Sequence, residues 1–126
     1  MTARRALVID DDDEVREVAR VSLELMAGWQ VRVARSGGEG LALAAAERPD
    51  VILVDVMMPD MDGAATVAAL RATPTARDVP VVLLTAVVQD EQWHRFAALG
   101  VAGTIAKPFD AIHLADQIAT MLGWDN

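Results

Sequence analysis

The sequence predicts an α/β fold, a doubly wound parallel sheet of five strands with helices on both faces, and two observations carry that prediction. Apolar runs recur at Ala6 to Ile9, Val51 to Val54, Val81 to Leu84 and Val101 to Ala106, each apolar almost throughout, as strands covered on both faces require. Between them lie stretches whose apolar residues fall at intervals of three and four, the spacing of an amphipathic helix. Strand and helix alternate from end to end. Parallel strands cannot be joined by two-residue hairpins, so this alternation implies right-handed crossovers through helices.

The elements follow in order. Ala6 to Ile9 is the first strand, and Val15, Val18, Ser22 and Leu25 form the stripe of a first helix stopped by Gly28. In Trp29 to Ala34 apolar and polar residues alternate, which reads as a second strand at a sheet edge with Trp29 packed at its start. Leu41 to Ala46 is an Ala-rich helix stopped by Pro49, and Val51 to Val54 the third strand. Ala64, Val67, Ala68 and Leu70 mark a third helix ended by the Thr73, Pro74, Thr75 turn, and Val81 to Leu84 the fourth strand. Trp93, Phe96 and Ala97 stripe a fourth helix ended by Gly100, and Val101 to Ala106, broken by Gly103, is the fifth strand. Ile112, Ala115, Ile118, Ala119 and Leu122 complete a fifth helix.

Composition narrows the function classes. The 126 residues, 53% of them hydrophobic, are enough for one core, so a single domain over residues 1–126 is the expectation. A formal charge of −8 makes direct nucleic-acid or anionic-lipid binding a poor match. With no cysteine, disulfides, thiolate zinc sites and cysteine nucleophiles are excluded. Neither a signal peptide nor a run of about 18 apolar residues is found, so a cytoplasmic location without a membrane partner is expected.

The chemistry collects where the strands end. The first strand runs into Asp10 and Asp11, the third into Asp55, the fourth into Thr85 and the fifth into Lys107 before Pro108. Ligands of open parallel sheets sit beyond these carboxyl ends. Three carboxylates brought together repel one another unless a cation offsets them. With oxygen donors alone and room for water, Mg²⁺ suits such a site better than Ca²⁺. The remaining carboxylate could then attack phosphorus, with Thr85 and Lys107 holding the phosphoryl oxygens. Asp12, Asp13 and Glu14 read more simply as the acidic cap of the following helix.

The runs LVIDDDDEVRE (Leu7 to Glu17), VILVDVMMPDMDG (Val51 to Gly63), PVVLLTA (Pro80 to Ala86) and GTIAKPF (Gly103 to Phe109) resemble, in order and at the usual spacing, the receiver domain of two-component response regulators. The resemblance implies a flavodoxin-like sheet of order 2-1-3-4-5. It implies that Asp55 accepts a phosphoryl group from a sensor histidine kinase or a histidine phosphotransfer protein. Asp11 would ligate Mg²⁺ directly and Asp10 largely through water, with Asp55 and the backbone carbonyl of Met57 completing the set. Thr85 would move to bond the phosphoryl group, Ala86 would leave room for it, Lys107 would pair with its oxygens, and the bond between Lys107 and Pro108 would be cis. Such a domain catalyses only its own phosphorylation and dephosphorylation.

Where many receivers carry an aromatic three residues before the lysine, this chain has Thr104, so no aromatic ring is there to switch. Only Gly123 to Asn126 follow the last helix, so the expectation is either a stand-alone receiver, which is favoured, or a fragment of a larger regulator. Its state would pass to a downstream protein through the face of the fourth helix, fifth strand and fifth helix, where Trp93 is either an anchor or core. Two other readings compete: a small aspartyl-phosphate phosphatase or phosphotransferase, suggested by the DxDG-like Asp60 to Gly63, and a pseudo-receiver that binds without chemistry.

Overall fold

The computed structural model describes residues 3–59, 61–86, 94 and 96–124, and within them a five-stranded parallel sheet of order β2-β1-β3-β4-β5. The elements run β1 (Arg5–Ile9), α1 (Asp13–Ala27), β2 (Gln30–Ala34), α2 (Gly37–Ala46), β3 (Val51–Asp55), α3 (Gly63–Arg71) and β4 (Val81–Thr85). Helical residues 94 and 96–98, α4 below, lead to β5 (Gly103–Ala106) and α5 (Leu114–Leu122). Trp93 and Asp60, both singled out from the sequence, lie outside the described residues.

Side chains of successive strand residues point to opposite faces, and this divides the apolar runs between two cores. Leu7, Ile9, Ile52, Val54 and Leu83 join Val67, Leu70 and Phe96 on one face of the sheet. Ala6, Val8, Val51, Leu53, Val82, Leu84 and Ile105 join Ala19, Leu23, Leu114 and Ile118 on the other. Every residue of β3 and β4 is buried, the burial that their unbroken hydrophobicity foretold, while β2 is buried only in part, as befits an edge. The five strands and their order therefore match the sequence reading. β5 is shorter than expected: Gly100 ends α4 with a φ of 74°, and ladder pairing with β4 starts at Gly103.

Four helix stripes differ from those expected: α3 buries Thr66 and exposes Ala68, α4 exposes Ala97, and α1 and the last helix differ too. On α1 the buried residues are Ala19, Ser22 and Leu23, whereas Val18 is 40% and Leu25 78% exposed. The spacing that picked out Val18 and Leu25 is real, but the helix turns a smaller Ala19–Ser22–Leu23 edge to the sheet, and Ser22 donates its hydroxyl to the Ala111 carbonyl. Ile112, expected on the last helix, precedes it and is 63% exposed. Gly28 and Gly123 cap α1 and α5 in the left-handed conformation that glycine adopts without a Cβ penalty. Trp29, at the start of β2, meets Trp124 edge to face at 5.6 Å, and Arg4 stacks over Trp124 at 4.0 Å.

One side chain ties two loops together beside β4. From the last residue of α3, the Arg71 guanidinium donates through Nε to the Leu99 carbonyl (3.1 Å) and through Nη2 to Gly100 (3.2 Å). Its Nη1 donates to Arg77 (3.1 Å) and Val79 (2.8 Å). Four carbonyls from two loops thus share one planar donor, fastening the end of α4 to the entry of β4. Arg71→Ala is expected to destabilise the fold by about 3 kcal/mol, because two part-buried acceptors, Leu99 and Val79, and two exposed ones lose charge-assisted bonds. Arg71→Lys should recover only a minor part, since an ammonium cannot span all four. Urea unfolding of the three proteins measures this.

Candidate functional site at the carboxyl edge of the sheet

The strand ends bring together the residues expected there. Asp10 follows β1, its amide bonded to the Ala34 carbonyl of β2 at 3.0 Å, and its carboxylate is fully buried. Asp55 is the last residue of β3 and 5% exposed. Asp11, between them and the solvent, is exposed. One oxygen from each of these three carboxylates lies within 4.8 Å of the others. Lys107, just past β5, reaches back so that its Nζ stands 2.8 Å from Asp10 Oδ2 and 3.1 Å from Asp55 Oδ1. Its amide donates to the Thr85 carbonyl at 2.9 Å, and its bond to Pro108 is cis, as the family resemblance implied. Thr85, 5% exposed, ends β4, with the exposed Ala86 after it.

Among the described residues the electrostatics of this cluster are unbalanced: the three carboxylates face the ammonium of Lys107, so negative charge is in excess. Burial pushes the Asp55 carboxyl up to about 6, and the Asp10 charge adds to this. The Met57 amide, which donates to Asp55 Oδ1 at 3.2 Å, and Lys107 pull the other way. Burial alone would lower the Lys107 ammonium, but its two carboxylate partners more than offset this and hold it above the ordinary lysine value. Asp10 Oδ2 is buried and receives no well-directed hydrogen bond among the described residues, its nearest cation being Lys107. A buried carboxylate whose cationic neighbour is shared with a second carboxylate, beside a third and, among the described residues, without nitrogen or sulfur ligands, fits a hard divalent cation such as Mg²⁺.

The surrounding acids have simpler work. Asp12 caps α1, accepting from the amides of Glu14 (2.8 Å) and Val15 (3.2 Å), and Asp62 caps α3, accepting from Ala65 (2.8 Å). The DxDG-like run therefore contributes a helix cap at Asp62, and its glycine serves packing. The Gly63 amide donates to the Val56 carbonyl at 3.0 Å, with the α3 backbone pressed against residues 55 and 56. Sequence reasoning gave no role to Gly63 or to Arg16, whose guanidinium bonds the Asp10 carbonyl at 2.8 Å. An Asp-Gly pair before a helix was the available sign for the first; no local spacing betrays the second. His94 is exposed, and His113, 61% exposed, pairs with Asp110 at 2.7 Å, so both histidines lie on the surface as expected.

The chain's likeness to known proteins agrees with this geometry. The "Response regulator receiver domain" family profile matches residues 6–119. The response regulator MprA of Mycolicibacterium vanbaalenii is 40% identical over 94% of the chain, and the match covers 50% of MprA. The chain thus spans about half the length of the curated relatives it matches. Among solved structures, the chemotaxis response regulator CheY4 of Vibrio cholerae superposes with a TM-score of 0.90 at 32% identity, over 95% of this chain and 99% of that one. The receiver domain of a Pseudomonas aeruginosa sensor histidine kinase, solved with a magnesium ion coordinated in its active site cleft, gives a TM-score of 0.84 at 25% identity, over 97% and 99%. On the match to residues 6–119 and the five-stranded 2-1-3-4-5 sheet, the chain belongs to the receiver domains of two-component response regulators, signalling domains rather than conventional enzymes.

Proposed function

We propose that this receiver is a phosphoacceptor switch in which Asp55 takes the phosphoryl group of a phosphohistidine on a sensor kinase or a histidine phosphotransfer protein. The observation that carries the reading is the convergence of Asp10, Asp11, Asp55 and Lys107 on one sheet edge with negative charge in excess. A carboxylate oxygen of Asp55 forms the bond to phosphorus as the phosphorus–nitrogen bond breaks, and the electron pair leaves with the donor imidazole. Asp55 attacks as the anion, so its raised proton affinity must be overcome. Asp10, Asp11, Asp55 and the Met57 carbonyl would hold Mg²⁺, which when bound would supply the positive charge that lets these carboxylates stay ionised together beside the phosphoryl oxygens.

Lys107, already beside Asp55, is placed to move its ammonium from the carboxylates to a phosphoryl oxygen. Thr85 offers its hydroxyl from the neighbouring strand end, and Ala86 adds no bulk beyond Cβ where the group would lie. Within its 126 residues the domain turns over no free substrate, and it functions in the cytoplasm. The downstream protein reads the α4–β5–α5 face, where β5 is an edge strand and Ala102 and Ala106 are exposed. The half-buried Thr104 puts no aromatic ring at that position of β5.

Intact mass after incubation with Mg²⁺ and a small phosphodonor such as acetyl phosphate tests the reading. The expected result is addition of one phosphoryl group to the wild type and none to Asp55→Asn. An unmodified wild type would support the pseudo-receiver instead, and continuous hydrolysis of the donor without a mass change would support a phosphatase.

A further inference from the structure

Arg16 is the fourth residue of α1, yet its side chain turns back toward the sheet edge and is 12% exposed. Nη1 donates to the backbone carbonyl of Asp10 at 2.8 Å, and Nη2 pairs with Asp13. That carbonyl belongs to the peptide unit joining Asp10 to Asp11, and because the unit is planar, fixing its oxygen also fixes the direction in which the chain enters Asp11. The Asp10 side of the unit is tied down independently: its amide bonds Ala34 at 3.0 Å, and Oδ1 accepts from the Asp12 amide at 2.9 Å. Asp11 is exposed, so burial does not orient it, although its carboxylate must converge with those of Asp10 and Asp55.

We infer that Arg16 is a positioning residue for the cation site, holding the Asp10–Asp11 peptide so that the Asp11 carboxylate faces the other two. This rests on the proposed metal-assisted phosphoacceptor reading and extends it to a residue that never touches the cation. Two effects of Arg16 oppose each other. Its positive charge disfavours a nearby divalent ion, so removing the charge alone would tighten binding. Its bond to the Asp10 carbonyl orders a ligand, so removing the bond weakens binding. The guanidinium is committed to a carbonyl and to Asp13, and the cation site is open to water through Asp11, so positioning dominates.

Calorimetric titration of the full chain with Mg²⁺ decides between them. Arg16→Ala is expected to bind about tenfold more weakly, the size of effect seen for groups that orient metal ligands. Arg16→Lys, which keeps the charge and one donor, should fall between, and Asp13→Ala, which spares the bond to Asp10, should stay near the wild type. Unchanged or tighter binding in Arg16→Ala overturns the inference, as does an equal loss in Asp13→Ala. If Arg16→Ala does not fold, Arg16→Lys decides alone: weaker binding supports positioning, and wild-type affinity refutes it. A wild type that binds no Mg²⁺ would sink the metal reading itself, and this inference with it.

Discussion

Gly63→Ala is expected to cost about 3 kcal/mol of stability, lowering the melting temperature by roughly 10 °C, and to impair phosphorylation of Asp55 in whatever protein remains folded. A Cβ at this position would lie 2.8 Å from the Val56 Cα, 3.0 Å from the Asp55 carbonyl oxygen and 3.3 Å from that of Val56. All three are backbone atoms, so no rotamer change can clear the space. The chain immediately after Asp55 must shift, or α3 must lift away and stretch the 3.0 Å bond from the Gly63 amide to Val56. Two other glycines calibrate the argument. At Gly40 the new carbon would meet Ile9 Cδ1 at 2.3 Å, the end of a side chain that can turn, though within a packed core; at Gly38 nothing lies within 4 Å. Gly38→Ala, on α2, should therefore stabilise by up to about 1 kcal/mol through helix propensity. Gly40→Ala should fall between the two. Equal stability of all three variants in thermal unfolding would show that the close approach at Gly63 does not constrain the site.

This contrast also shows what the sequence could and could not disclose. The strands were legible because burial on both faces writes itself as uninterrupted Val, Ile and Leu, and β3 and β4 are buried at every residue. The site was legible for a related reason: in a parallel sheet every strand points the same way, so residues at strand ends become neighbours whatever their separation in the chain. Asp10, Asp55, Thr85 and Lys107 each stand at or just past such an end. The face of α1 was not legible, because Val18, Leu25 and Ala19 all fit a helical stripe. Only packing shows that the smaller Ala19 is inside and the larger Leu25 outside. Gly63, Arg16 and Arg71 act through backbone atoms of other segments, and a backbone contact leaves no mark in residue type at the position contacted. The acidic block was the opposite case, with several carboxylates that look alike in sequence. Asp12 turned to its own helix as a cap while Asp10 and Asp11 turned to the site.

In the presence of EDTA, the stability of the wild type is expected to fall by up to about 3 kcal/mol as pH rises from about 4 to above 6, and Asp55→Asn should abolish that fall. In the unfolded chain an aspartate loses its proton near pH 3.9; in the folded protein burial first, and the Asp10 charge second, delay this to about 6. Between these two values the folded state binds more protons than the unfolded one. Linkage then requires stability to decrease as pH increases, with the loss complete once Asp55 is ionised in both states. Lys107 does not alter the sign, because its ammonium is held above its ordinary value and stays charged throughout the window. The order of the two proteins is the sharper test: in EDTA at pH 8 Asp55→Asn should be the more stable, and the gap should close as pH approaches 4. Adding Mg²⁺ at a hundred times its dissociation constant should return about 2.7 kcal/mol to the wild type at pH 8. At pH 5 it should return less, since protons and the cation compete for the same carboxylate. Parallel pH profiles for the two proteins in urea unfolding would mean that Asp55 ionises as freely as in water. The excess negative charge at the sheet edge would then not be what prepares this site for a cation and a phosphoryl group.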